Sequence, residues 1–80
     1  MMARILGEKV WAGKAPQACD LCGLRIMHSF VDGRTSDGRW GIMCPRCRVA
    51  EGRLELGTGL GQKYERHSDG DAVRWVKVAG

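Results

Sequence analysis

Two Cys-x-x-Cys pairs, Cys19 with Cys22 and Cys44 with Cys47, are separated by 21 residues in an 80-residue chain, and nothing else in the sequence restricts the fold as much. A domain of this length buries only about 60% of the surface its unfolded chain exposes, so its apolar core is marginal and a staple is expected. Cysteines so arranged can serve as disulfides, as redox groups or as metal ligands. Residues 1–13 mix Arg4, Glu8 and Lys9 among apolar residues and offer no continuous hydrophobic stretch of the kind a secretory signal needs, which predicts a cytoplasmic chain. In a reducing compartment, paired cysteines favour metal over disulfide. No run approaches 18 apolar residues, so no membrane-spanning helix is expected.

The chain between the pairs reads as a hairpin. Ile26, His28 and Phe30 alternate with Met27, Ser29 and Val31, so residues 24–31 are predicted to form a strand. Residues 32–38 contain two Asp-Gly pairs, which favour tight turns, and residues 39–43 return as a second strand that brings the cysteine pairs together. Pro45 suits the first position of a helix over residues 46–51, ended by Gly52. The fold class that follows is a small α+β metal-stabilised domain: a zinc knuckle, a β-hairpin and a short helix in a treble-clef-like arrangement. Without the helix the same sequence makes a zinc ribbon. Residues 1–17 read as an amino-terminal arm or strand and residues 18–53 as the zinc module. Residues 54–65, with Gly57, Gly59 and Gly61 at alternate positions, read as an extended loop held to the module by Leu56, Leu60 and Tyr64. A polar turn over residues 67–71 then leads to a final strand over residues 72–79.

Cys19, Cys22, Cys44 and Cys47 are the predicted ligands of one structural zinc ion, because two matched knuckles supply the four thiolates of a closed tetrahedral shell. Iron and redox disulfides are the alternatives; the knuckles resemble those of rubredoxins, although this chain is basic and has only five aromatic residues. His28, in the predicted strand, is expected to be half-buried, and His67, in the polar turn, exposed. No His lies between Arg39 and Arg66 to activate water in the manner of a metal-dependent nuclease, so no catalysis is expected. The glycine run lacks both the Gly-Lys-Ser/Thr of a phosphate loop and the Gly-x-Gly-x-x-Gly of a dinucleotide fold.

The formal charge is +4, and four thiolates holding one divalent ion would reduce it to about +2. The basic excess lies with the cysteines: residues 1–50 hold eight Lys or Arg against four acids, while residues 51–80 are balanced at five against five. Arg34, Arg39, Arg46, Arg48 and Arg53 flank the hairpin and helix and are the candidate nucleic-acid face, with a solvated surface as the alternative. Trp11, Trp40 and Trp75 are expected in the core.

Cys19-x-x-Cys22, Phe30-x-Asp32-Gly33-x-Thr35, Gly38-x-Trp40, Met43-Cys44-Pro45-x-Cys47 and Gly57-Thr58-Gly59-x-Gly61-Gln62-x-Tyr64 together resemble the small zinc-ribbon proteins encoded by tailed bacteriophages, over residues 19–64. The resemblance implies phage origin and hence residence in a host cytoplasm; such proteins are mostly without an assigned activity. The function expected is a non-catalytic, zinc-binding module that binds nucleic acid through its arginines. The alternative is an accessory or inhibitory protein that docks on a host or phage protein through the glycine loop and the edge of the last strand. Neither a membrane nor a small-molecule substrate is expected as partner.

Overall fold

The computed structural model describes residues 9–51 and 56–80. Four strands, β1 (Ser29–Arg34), β2 (Trp40–Met43), β3 (Gly61–Asp69) and β4 (Ala72–Ala79), form one antiparallel sheet in the order β2-β1-β3-β4, with a short helix, α1 (Pro45–Glu51), between β2 and β3. Among the described residues no helix is long and apolar enough to cross a membrane.

The second strand of the hairpin, the helix and the last strand lie where the sequence places them. β2 begins within one residue of its expected start, α1 opens on Pro45, and β4 covers residues 72–79. Cys44 caps the helix, its carbonyl accepting from Arg48 N at 2.9 Å, and Pro45 follows in the position where a missing N–H costs nothing.

Four expected element boundaries need correction. The strand expected over residues 24–31 starts only at Ser29, because Gly23, at φ 77°, turns the chain so that residues 24–26 pair back on residues 17–19: Cys19 N donates to Leu24 O at 2.8 Å and Ile26 N to Gln17 O at 2.9 Å. The hairpin loop expected over residues 32–38 is shorter, since Asp32 and Gly33 are paired on both sides, to Ile42 and Gly41 of β2 and to Gln62 and Gly61 of β3. The glycine-rich segment is an extended loop only in part. Leu54 and Glu55 lie outside the described residues, residues 57–60 turn, and β3 starts at Gly61. The physical reason is close packing: a Cβ on Gly61 would stand 2.9 Å from Gly33 Cα, so glycine is what lets β3 reach β1 at that point. Finally, β3 runs through His67 and Ser68 to Asp69, which leaves only Gly70 and Asp71 for the expected polar turn.

The core centres on aromatic rings. Phe30 and Tyr64 are register partners and stack at 5.3 Å; Trp11 meets both edge-on, at 5.3 and 5.2 Å, and Trp75 lies 5.3 Å from Phe30. Tyr64 therefore packs on the core as expected, but from within a strand rather than a loop. Trp75 and Trp11 belong to this core, whereas Trp40 is 48% exposed, its indole N–H donating to Asp32 Oδ1 at 2.6 Å. A second buried pair, Val31 with Met43, joins β1 to β2.

Both sheet edges are partly covered. On β4, Val10 bridges to Val76, Trp11 N donates to Trp75 O at 2.9 Å, and Lys77 N to Lys9 O at 2.8 Å. On β2, Asp20 N donates to Ile42 O and Ile42 N to Asp20 Oδ2, both at 2.8 Å. Such cover removes backbone groups that would otherwise invite another strand. The amino-terminal arm thus acts as a short edge segment over residues 9–11, and residues 1–8 lie outside the described residues.

Candidate metal centre

The knuckle is a miniature hairpin. Gly23 N donates to Cys19 O at 2.9 Å, closing the turn that carries Cys19 and Cys22, and Leu21 N donates to Cys19 Sγ at 3.4 Å. Cys44 and Cys47 come from the cap and first turn of α1, one helical turn apart, so both can face the knuckle. Asp20 ties the two halves together by pairing with Ile42, two residues before Cys44. As the unspecified residue inside Cys-x-x-Cys, it gives no signal in the sequence.

All four Sγ atoms lie within 4.8 Å of one another, and the cluster contains no other ligating residue. Cys22 Sγ and Cys44 Sγ are 3.7 Å apart. A tetrahedral ion with metal–sulfur bonds of about 2.3 Å requires sulfur–sulfur edges of about 3.8 Å, whereas a disulfide requires about 2.05 Å. The donor set therefore fits one metal ion, and the cysteines are free thiols. Cys19 and Cys44 are buried, Cys47 is half-buried and Cys22 exposed, placing the site at the margin of the core.

The electrostatics point the same way. Burial pushes the Cys19 thiol up, but the backbone N–H groups of Cys44, Cys22 and Leu21 together outweigh it and bring the thiol down to about 6. At Cys47, desolvation and then hydrogen bonding with the other three cysteines push the thiol up to about 12. One thiolate is thus favoured and further ones repel, which is the condition a divalent cation relieves.

The five candidate arginines meet different fates. Arg34 and Arg46 are exposed, on β1 and on the first turn of α1. Arg39 is engaged by Asp37, Nε donating to Oδ2 at 2.9 Å. Arg48 is half-buried and borders a crevice of about 120 Å³ with Val31, Pro45, Val49 and Lys63. Arg53 lies outside the described residues. His67 is exposed as expected; His28 is exposed too, because it precedes β1 rather than lying within a strand.

Three cationic side chains and a histidine converge elsewhere. Lys14, Arg25, His28 and Arg66 line one cleft of about 790 Å³, bordered by residues 14–18, residues 23–28 and β3. At positions so far apart in the chain they carry no pattern that a reading of spacing could detect.

Comparison with protein-family models, with curated proteins and with solved structures finds no match to this chain.

Proposed function

We propose that this chain is a zinc-stabilised, non-catalytic nucleic-acid-binding module of the kind tailed phages encode, with a treble-clef arrangement of knuckle, hairpin and helix. The observation that carries the reading is the cluster of four Sγ atoms within 4.8 Å, built by a knuckle and a capped helix start. Four thiolates favour zinc among common ions and close its shell, which leaves no position for a reactive water. The excess of Lys and Arg over acids in residues 1–50, eight against four, supports a polyanionic partner.

Docking on a protein is the second reading, favoured by the exposure of Leu21, Leu24 and Met27 around the knuckle. Strand addition along residues 75–77 of β4 would first have to displace residues 9–11.

The test is metal analysis of the purified protein followed by titration of labelled DNA and RNA from about 50 to 200 mM salt. One zinc per chain, no visible absorbance and affinity that falls steeply with salt are the expected results. A coloured iron protein would overturn the metal assignment, and salt-insensitive or absent binding would overturn the nucleic-acid assignment.

A further inference from the structure

Resting on the nucleic-acid reading above, we propose that the cleft between residues 14–18, residues 23–28 and β3 is a single-stranded nucleic-acid site, in which Lys14, Arg25, His28 and Arg66 meet backbone phosphates and Met27 offers an apolar surface to the bases.

The charge of the cleft is one-sided. Its lining contains no Asp or Glu, and no carboxylate of the described residues pairs with Lys14, Arg25 or Arg66. These three side chains and His28 are all exposed; Arg39 is exposed as well, but Asp37 already engages it. A concave surface lined by one sign of charge concentrates counter-ions of the other sign, phosphate above all.

Its walls are fixed by backbone hydrogen bonds rather than left to side-chain chance. Ala18 bridges to Arg25, Ile26 N donates to Gln17 O at 2.9 Å, and Arg66 N donates to His28 O at 2.9 Å. Residues 23–28 leave the knuckle directly, so the metal that fixes Cys19 and Cys22 also fixes the wall bearing Arg25 and His28. Met27 is 57% exposed beside them, and the buried Trp75 also lines the cleft.

The shape favours a single strand. Duplex reading needs an element that enters a groove, and the one helix among the described residues has seven residues, with Cys44 and Cys47 at its start committed to the metal cluster. A cationic trough with an apolar surface is the usual design for a strand whose bases are free. An acidic peptide fits less well, because backbone groups along the walls are already paired within the chain and cannot form a ladder with an incoming strand.

The experiment uses the full zinc-loaded chain with labelled dT12, U12 and a 12-base-pair duplex, and unlabelled polyglutamate as competitor. Two double variants are compared: Arg25→Gln with Arg66→Gln in the cleft, and Arg34→Gln with Arg46→Gln on the hairpin and helix. All four positions are exposed, and zinc content with amide chemical-shift dispersion checks folding. The cleft variant is expected to bind single strands about tenfold more weakly, with a logarithmic salt slope shallower by about 1.4 for two lost contacts. The hairpin–helix variant is expected to bind within about twofold of wild type, and the duplex to bind more weakly than either single strand. Loss in the hairpin–helix variant with full binding in the cleft variant overturns the cleft while leaving the nucleic-acid reading intact. Duplex binding as tight as single-strand binding, or competition by polyglutamate as effective as by dT12, also overturns it. Absence of all nucleic-acid binding by the wild-type protein removes both readings together.

Discussion

At the cysteine cluster, Cys19 and Cys44 are buried and four sulfur atoms crowd within 4.8 Å; in the outer part of the β3–β4 hairpin, Arg66, His67, Ser68, Ala72 and Val73 are all exposed. The first region brings together four side chains that could ligate one metal ion. The second is held by its backbone ladder, from Arg66 opposite Trp75 to Asp69 opposite Ala72. The aromatic cluster joins them: Cys19 and Cys44 pack in the same core as Phe30 and Trp75, and Trp75 is the register partner of Arg66. The difference shows how a small chain can divide its cohesion: a metal held by the four cysteines would fix the knuckle and helix start, and the rings would pass that order into the sheet.

The largest expected effect tests whether the two regions are one cooperative unit. Bound zinc supplies an apparent ~10–16 kcal/mol of folding free energy, as much as the ~5–15 kcal/mol that most domains possess in total. Chelation, or Cys44→Ser, should therefore unfold the sheet as well as the knuckle, read as collapse of amide chemical-shift dispersion. Native dispersion for the β3 and β4 residues in metal-free protein would show that the sheet stands alone.

The converse perturbation starts in the core. Phe30 is 1% exposed, and Phe30→Ala should cost about 3–5 kcal/mol of stability. In a single cooperative unit the same variant also weakens zinc binding, measured by competition with a chromophoric chelator. Unchanged zinc affinity would separate metal end from core.

A smaller effect is expected where β3 meets β1. Gly61 has φ 152° and no room for a Cβ against Gly33, so Gly61→Ala should destabilise by about 1–3 kcal/mol, read as a lower melting temperature. An unchanged melting temperature would mean that the strands separate there at little cost.

The smallest concerns the β1–β2 turn, which resembles the β3–β4 tip in its exposure. A hydrogen bond from the Thr35 hydroxyl, then one from Arg39 N, holds the Asp37 carboxyl below its ordinary value of 3.8. Because the folded value is depressed, the associated stability is fully present above the unfolded value and is lost as pH falls through the folded one. Carbon-detected titration of Asp37 should give a midpoint below that ordinary value, and Thr35→Val should move the midpoint upward. A midpoint that Thr35→Val leaves in place would assign the shift to Arg39 alone.

Much of the architecture was legible because its causes are local. The two cysteine pairs, the turn-forming Asp-Gly residues and Pro45 each act within a few residues, and the metal cluster, the β1–β2 hairpin, the start of α1 and the span of β4 follow from them. Periodicity misled over residues 24–31 because alternation describes side chains, whereas Gly23 reversed the backbone beneath them. Glycine spacing misled at Gly61 because a residue that weakens an isolated strand strengthens one that must approach Gly33 closely.

By itself, then, the sequence determined which four side chains come together, and roughly how the chain gets from one pair to the other, since ligand chemistry and turn chemistry are written in adjacent residues. Only the tertiary structure decided that β3 lies between β1 and β4, that Trp40 remains exposed while Trp75 is buried, and that Lys14, Arg25, His28 and Arg66 face one cleft. Those outcomes depend on register between segments distant in the chain, where no local preference selects one pairing over another and the packing of the whole core does.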